Sequence, residues 1–295
     1  MNEIKKVPGV LSGQEITELI NKNIISCDHK INKDLIQPAS IDLRLGLKAW
    51  RVPASFLPGK GNLVSERLKN FAMHEISLVD GAVLECGCVY IVKLLEHVSL
   101  TDDLTGVANP KSSTGRLDVF TRLIVDGAQE FEDVPAGYSG PLYVEISPRT
   151  FSILVRTGSR LNQLRIRRGY SVTTDKEMEI LQKHVGLVRT EGDNNLPDKI
   201  KNGVPLSVDL VGEKGLIGYK ARKHSRLIDV DKPNFYKREF FWEKITTEDL
   251  IYQTNFSENG TSSSGLVLSP DAFYILASKE YVSVPSNYAA EMGAY

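Results

Sequence analysis

Six consecutive residues combine an ammonium group, serine hydroxyls and a guanidinium: Lys111-Ser112-Ser113-Thr114-Gly115-Arg116. Donors of this kind beside a glycine, which lets the backbone come close, suit the oxygens of a polyphosphate. The same six residues also make an ordinary solvated turn. They are not a Walker loop, because the glycine pattern ahead of the lysine is missing. Downstream, Tyr143-Val144-Glu145-Ile146-Ser147 reads as a strand carrying one carboxylate. Period-two alternation sets Glu145 on the face opposite Val144 and Ile146. There it is either an exposed strand residue or a general base held rigidly enough to take a proton from water.

Other chemistries find less support. Cys86-Gly87-Cys88, with His29, His74 and His97 far away in sequence, lacks the paired spacing of a structural zinc site. His74-Glu75 lacks the H-x-E and P-C-x-x-C pairing of zinc deaminases. Cys86 and Cys88 are therefore expected as buried, reduced thiols. The chain has no G-x-S-x-G nucleophile elbow and no G-x-G-x-x-G dinucleotide loop.

The elements that must position these residues are mostly strands. Ser12-Gly13-Gln14-Glu15 is a capping box, with Ile16, Leu19 and Ile20 behind it at helical spacing. Ile41 to Leu45 alternates and is expected to be a strand closed by Gly46. Trp50 to about Asn70 is punctuated by proline and glycine and reads as a long loop. Ile76 to Leu100 reads as two strands, Val89 to Leu95 being buried. Further strands are expected at 152–156 and 161–167. Thr174-Asp175-Lys176-Glu177 is a second capping box, its helix ending at Gly186. Residues 189–202 are polar and look like a linker.

Beyond that linker the chain partly repeats itself. Val83 to Asn109 aligns without gaps on Val267 to Gly293, an offset of 184 residues, with Tyr90/Tyr274, Ile91/Ile275, Glu96/Glu280, Val98/Val282 and Ser99/Ser283 identical. Ser40-Ile41-Asp42-Leu43 also resembles Ser207-Val208-Asp209-Leu210. The expected organisation is a complete first domain at 1–188, a linker at 189–202, and a partial repeat at 203–295 that appears truncated, since Tyr295 pairs with Lys111.

Four motifs in order, Q-P-A-S-I-D-L-R-L-G, K-S-S-T-G-R, A-G-Y-S-G-P-L-Y-V-E-I and G-S-R-L-N-Q-L-R-I, resemble the deoxycytidine triphosphate deaminases of the dUTPase-like superfamily. The closer likeness is to the long bacterial form with tandem domains. It covers Leu11 to about Arg168 well and the second half weakly. The resemblance implies a mainly β, dUTPase-like distorted barrel or jelly roll (a β-clip) with a few short helices, partially duplicated here. It implies zinc-independent hydrolysis of dCTP to dUTP and ammonia, feeding dTTP synthesis, with Mg²⁺ riding on the triphosphate and no protein ligands to it. A homo-oligomer with trimer-like packing and sites at interfaces is implied as well. By position, Glu145 matches the water-activating glutamate and Arg116 the arginine supporting charge at the reacting centre. Lys111, Ser112 and Ser113 match the phosphate-binding segment, with lysine in place of the usual arginine, so that a bidentate fork is lost. Val125, Asp126 and Gln163 join the expected substrate-binding set.

Two departures stand out. The aspartate that holds the sugar 3′-hydroxyl in shorter deaminases is replaced by Pro135, leaving Asp126 or Asp133 to substitute. No counterpart of their C-terminal triphosphate-binding tail is visible. The rival readings are a dUTPase, with Asp126 as base, and a catalytically inactive nucleotide-binding homologue.

Composition fits this class of function. A net charge of −1 gives no electrostatic case for nucleic acid or an anionic membrane. The N-terminus lacks the apolar core of a signal peptide, and the longest apolar run, Ala82 to Leu95, is interrupted by Glu85 and Lys93. A cytoplasmic protein with reduced cysteines is expected.

Overall fold

The computed structural model describes residues 7–170, 172–190, 200–253 and 263–293. The chain divides into two compact units, Met1–Ser171 with Ser225–Tyr236, and Val172–His224 with Lys237–Tyr295. This division falls earlier than the expected boundary at 188. Helix α4 (Asp175–Val185) belongs to the second unit, where Asp175 accepts from the Asn202 and Gly203 amides and Val188–Arg189 pairs with Tyr281–Val282. The expected linker at 189–202 lies largely outside the described residues.

The first unit is built on two six-stranded sheets. One runs Asp133–Val134, Leu104–Pro110, Asn162–Arg168, Ser40–Leu43 and Ile36–Gln37 in spatial order, with Gly9–Val10 paired on the Asn162–Arg168 strand. The other runs Val119–Val125, Ser139–Pro148, Val89–Ser99, Leu45–Val52 and His74–Ser77, with Ile25–Ser26 paired on Val89–Ser99. Ile41, Leu164 and Ile166 from the first sheet and Ala49, Val92, Val144 and Ile146 from the second are fully buried. Each large aliphatic side chain withdrawn from water in this way contributes about 1.5–3 kcal/mol. Among the described residues neither sheet closes on itself, so the fold is mainly β and a distorted, open version of a barrel.

The two capping boxes form as the sequence predicts, on α1 (Gly13–Asn21) and α4, and α4 ends at Gly186 in the left-handed conformation. Four expectations change. Gly46 does not close a strand; the chain passes through it, because any Cβ there would lie 2.4 Å from the Lys93 carbonyl oxygen of the neighbouring strand. The supposed loop from Trp50 to Asn70 begins as strand up to Val52 and contains helix α2 (Val64–Phe71). No local side chain caps α2; Asp126 Oδ1 accepts the Val64 amide at 2.7 Å from far along the chain, so no capping signal precedes the helix. Ile76 to Leu100 holds parts of three strands rather than two: His74–Ser77, Ala82–Leu84 and Val89–Ser99. Cys86 is also exposed and Cys88 only half-buried, since they sit at the tight turn joining the last two of these.

Ser225–Tyr236 completes the first unit from the second half of the sequence. Ile228–Asp229 runs parallel to Ile153–Val155, Arg156 grips Asp229 through two bonds of 2.7 and 2.9 Å, and Ser159 donates to Asp231 at 2.6 Å.

The second unit repeats one layer of the first. Leu216–Ala221 lies between Trp242–Thr246 and Tyr274–Leu276, as Leu45–Val52 lies between His74–Ser77 and Val89–Ser99. Gly218↔Leu276, Tyr219↔Ile275 and Lys220↔Tyr274 reproduce Ala49↔Val92, Trp50↔Ile91 and Arg51↔Tyr90. The Glu280 carboxylate accepts the Ser207 amide at 2.8 Å, as the Glu96 carboxylate accepts the Arg44 amide at 2.8 Å. Ser207 therefore corresponds to Arg44. The sequence match of Ser207–Leu210 to Ser40–Leu43 is displaced by four residues from the structural one.

Candidate active site

Glu145 sits in the middle of the Ser139–Pro148 strand, between Arg122 on one neighbour and Ile91 on the other. Its alternation with Val144 and Ile146 is as expected, but its face is covered, and the residue is only 3% exposed. A carboxylate so buried needs a partner. The Arg122 guanidinium supplies it, donating from Nε at 3.0 Å and Nη2 at 2.6 Å to the same oxygen, Oε1. Arg122 is itself held by Nη2 donating to Ser55 Oγ at 2.7 Å and by the Phe131 ring, whose centroid is 3.9 Å away. Glu145 Oε2 is buried and meets no protein donor. One oxygen is thus anchored and the other is the acceptor available to a ligand or to water.

Two further features belong to the same unit. Tyr143, two residues earlier on the same strand face, lines a cavity of about 470 Å³ together with Trp50, Ser65, Lys69, His74 and Lys93. Glu132 is within electrostatic reach of both Arg122 and Glu145, and burial pushes its carboxyl up to about 8.

The Gly/Pro turn that delivers the Glu145 strand is shaped by two glycines. Gly137 has φ 71°, open to glycine at little cost. A Cβ on Gly140 would fall 2.4 Å from the Tyr138 hydroxyl, which donates to the Pro141 carbonyl at 2.7 Å. Burial raises the Tyr138 phenol well above its usual range, so it stays a donor at any working pH.

The phosphate-type residues gather elsewhere in the unit. Lys111 precedes the four-residue helix α3 (Ser112–Gly115), and its ammonium is ion-paired with buried Asp42. Gln163 lies opposite Asp42 in register and accepts from Ser40 Oγ at 3.0 Å. Ser112, Ser113 and Arg116 are exposed on α3 and its C-terminal end. Among the described residues no hydrogen bond or ion pair links Lys111, Ser112, Ser113 or Arg116 to Glu145. The structure so brings Lys111 and Gln163 together around Asp42 and Ser40, and among the described residues gives Arg116 no hydrogen bond or ion pair with Glu145.

Asp126 uses Oδ1 to cap α2. The Val125 side chain is 1% exposed, so only its backbone remains for a ligand; its strand, Val119–Val125, forms one end of its sheet. Asp133 is exposed. Sequence reasoning missed Arg122, Glu132, Asp42 and Ser40. The strand pairing of Arg122 with Glu145 supplies the first, but no local spacing announces it. Among the described residues no group of three or more His, Cys, Asp or Glu side chains is placed to hold a metal ion, and no helix is long and apolar enough to cross a membrane.

Residues 7–170 match the family profile described as the 2′-deoxycytidine 5′-triphosphate deaminase N-terminal domain, and residues 174–295 match its C-terminal domain. The chain belongs to the deoxycytidine triphosphate deaminase family. A crystal structure of 2′-deoxycytidine 5′-triphosphate deaminase from Agrobacterium tumefaciens is 45% identical to it, covering 95% of this chain and 79% of that one, with a TM-score of 0.83. Two curated relatives are each named dCTP deaminase, dUMP-forming. The one from Sulfurihydrogenibium sp. is 26% identical over 158 residues, 52% of this chain and 81% of the relative. The one from Parafrankia sp. is 31% identical over 159 residues, 52% of this chain and 74% of the relative. Neither a dUTPase nor an inactive nucleotide-binding homologue is favoured by these matches.

Proposed function

We propose that this deaminase hydrolyses dCTP to dUTP and ammonia, with Glu145 as the base that activates the water attacking C4 of cytosine. The observation that carries the reading is the asymmetric anchoring of Glu145: Arg122 fixes Oε1, while Oε2 is buried and free of protein donors. A general base needs a fixed position and an open lone pair, and this residue has both. Attack at C4 forms the new C–O bond and moves electron density onto N3, which takes up a proton; collapse expels the amino group. No zinc is required for this step.

Arg116, Lys111, Ser112 and Ser113 form the other half of the proposed site. Arg116 supports charge at the reacting centre, and Lys111 with the two serines holds the triphosphate, which enters as its Mg²⁺ complex. Gln163 and the backbone at Val125 and Asp126 complete the substrate contacts. Within one chain these residues have no bond to Glu145, and those on α3 are exposed. Both facts support a homo-oligomer with trimer-like packing in which α3 of one copy faces Glu145 of another. A soluble, cytoplasmic setting without nucleic acid or membrane partners belongs to the same proposal.

The test incubates purified protein with dCTP, and separately with dUTP, in the presence of Mg²⁺, and resolves products chromatographically. Ammonia and deoxyuridine nucleotide from dCTP support the reading. Intact dCTP with dUTP converted to dUMP would sink it in favour of a dUTPase. The dCTP arm also reads whether dUMP accumulates, as the names of the two curated relatives describe for those proteins.

A further inference from the structure

The base assignment leaves without a task a second carboxyl, Glu132, which is half-buried with one oxygen fully enclosed. Glu132 stands just ahead of the Asp133–Val134 strand with its backbone at φ 70°, a left-handed conformation that a non-glycine residue adopts only when its surroundings enforce it. Two main-chain bonds do so. The Glu132 amide donates to the Leu123 carbonyl at 3.0 Å, and the Ala108 amide donates to the Glu132 carbonyl at 2.8 Å. Leu123 is the residue after Arg122, so this strained backbone is tied to the strand that anchors the base. The side chain ends in an oxygen, Oε2, that is buried without a donor, as Glu145 Oε2 is.

Arg122 lies electrostatically between the two acids, but both of its hydrogen bonds to carboxylate go to Glu145. Glu132 receives a main-chain hydrogen bond from Leu123 and the attraction of Arg122, yet burial outweighs both and the Glu145 charge adds to it. A buried carboxyl beside a neighbour that already owns the guanidinium is more stable neutral than ionised. A carboxyl that keeps its proton at working pH can supply the acid at a site where another carboxyl supplies the base.

We propose that Glu132 is the second acid–base residue of the deamination, giving up the proton with which the amino group of cytosine leaves as ammonia. The proposal rests on Glu145 being the base. Glu145 takes one proton from water as the C4–O bond forms and passes it to N3. Glu132 protonates the amino nitrogen, the C4–N bond breaks, and ammonia leaves. The remaining hydroxyl proton on C4 returns through Glu145 to Glu132 as the carbonyl forms. One water enters, one ammonia departs, and both carboxyls end as they began. The charged groups around Glu132 are Arg122 and Glu145 on the two adjoining strands and Glu130 and Asp133 on its own segment.

The test is a kcat and KM profile against pH, on dCTP, for wild type, Glu132→Gln, Glu132→Asp and Glu145→Gln. Wild-type kcat is expected to fall above about pH 8 as Glu132 loses its proton. Glu132→Gln should lower kcat about 100-fold, leave KM within roughly threefold and remove that alkaline limb. Glu132→Asp, which keeps the acid, should restore part of kcat together with the limb. A folded Gln variant that keeps the wild-type kcat and limb, or that changes KM alone, overturns the proposal. Should the Gln variant fail to fold, ¹³C NMR of glutamate carboxyls in the wild type decides. A carboxyl titrating near the kinetic limb supports the proposal, and none doing so overturns it. A wild type inert toward dCTP overturns the base assignment and this one with it, whereas an active wild type with an unaffected Gln variant overturns this one alone.

Discussion

Two copies of one three-stranded layer, one in each unit, share their small details and differ in what lies beside them. Glu85 and Ser269 each donate an amide to a tyrosine hydroxyl, Tyr90 at 3.1 Å and Tyr274 at 2.9 Å. Arg51 and Lys220 stand over those rings at 5.7 and 5.6 Å. Glu96 and Glu280 accept matching amides. In the first unit the tyrosine-bearing strand continues to Ser99 and carries the Glu145 strand on its other side. In the second, Tyr274–Leu276 ends its sheet among the described residues. The shared layer is therefore a scaffold, and the chemistry assigned to this chain sits on the strands that only the first copy adds to it.

The largest expected effect tests that division directly. Glu145→Gln should lower dCTP turnover about 1,000-fold while leaving dCTP binding measurable by calorimetry. Glu280→Gln, in the second copy of the layer, should leave turnover within about twofold. Undiminished turnover in Glu145→Gln would remove the residue from its role and the contrast with it.

The matched glutamates differ next in stability. The Glu96 side chain is 0% exposed and also holds the Arg44 guanidinium at 2.7 Å. Removing its charge leaves that arginine uncompensated, and breaking such a buried pair costs about 3 kcal/mol. Glu280 is half-buried and its carboxylate bonds to the exposed Ser207, so its loss should cost about 1 kcal/mol or less. Urea unfolding can follow both, because Trp50 lies in the first unit and Trp242 in the second. Equal losses at the two positions would mean that the guanidinium adds nothing to the first copy.

Much of the scaffold was legible because it is local. The capping boxes at Ser12 and Thr174 are four-residue signals, and both formed. Glu145 was legible as a strand carboxylate, and its motif context is what proposes it as a base. What the sequence hid depends on partners distant along the chain. Helix α2 takes its cap from Asp126, so nothing before Val64 announces it. Arg122 reads as one more outward residue of Val119–Val125 until the register sets it across from Glu145. Glu132 reads as loop until its backbone is pinned by Leu123 and Ala108. The repeat was seen from side-chain identity, yet its second anchor was misaligned by four residues, because Ser207 shares a main-chain role with Arg44 and no side-chain likeness.

The two units should also answer pH with opposite signs. Burial pushes Glu132 up to about 8 from an ordinary 4.5. Between those values the native unit keeps a proton that the unfolded chain has lost, so stability falls as pH rises through the window. Glu132→Gln should flatten that fall, which is worth about 5 kcal/mol across the window. At Glu280 burial also pushes upward, but the hydrogen bonds from Ser207 outweigh it and the carboxyl lies below its ordinary value. Its contribution is present above that ordinary value and is lost as pH falls through the lowered one. Urea midpoints from well below pH 4 up to pH 9 should fall toward high pH at Trp50 and toward low pH at Trp242. The same tilt at both would show that one of the two carboxyls titrates normally.

The smallest effect probes the most closely conserved detail between the copies. Tyr90 is 3% exposed, and burial raises its phenol above the ordinary value. Tyr274 is only half-buried, and the hydrogen bonds of Ser269, followed by the nearby Lys220, lower its phenol instead. Replacing either by phenylalanine keeps the ring and removes one acceptor for a main-chain amide. At Tyr90 the Glu85 amide then loses its partner in a partly buried turn, and the cost should be about 1 kcal/mol. At Tyr274 the Ser269 amide is exposed and water replaces the hydroxyl, so the cost should be about half that or less. The ratio matters more than either value: a larger loss at Tyr274 would mean that the second copy depends on its tyrosine for a turn that the first secures by packing.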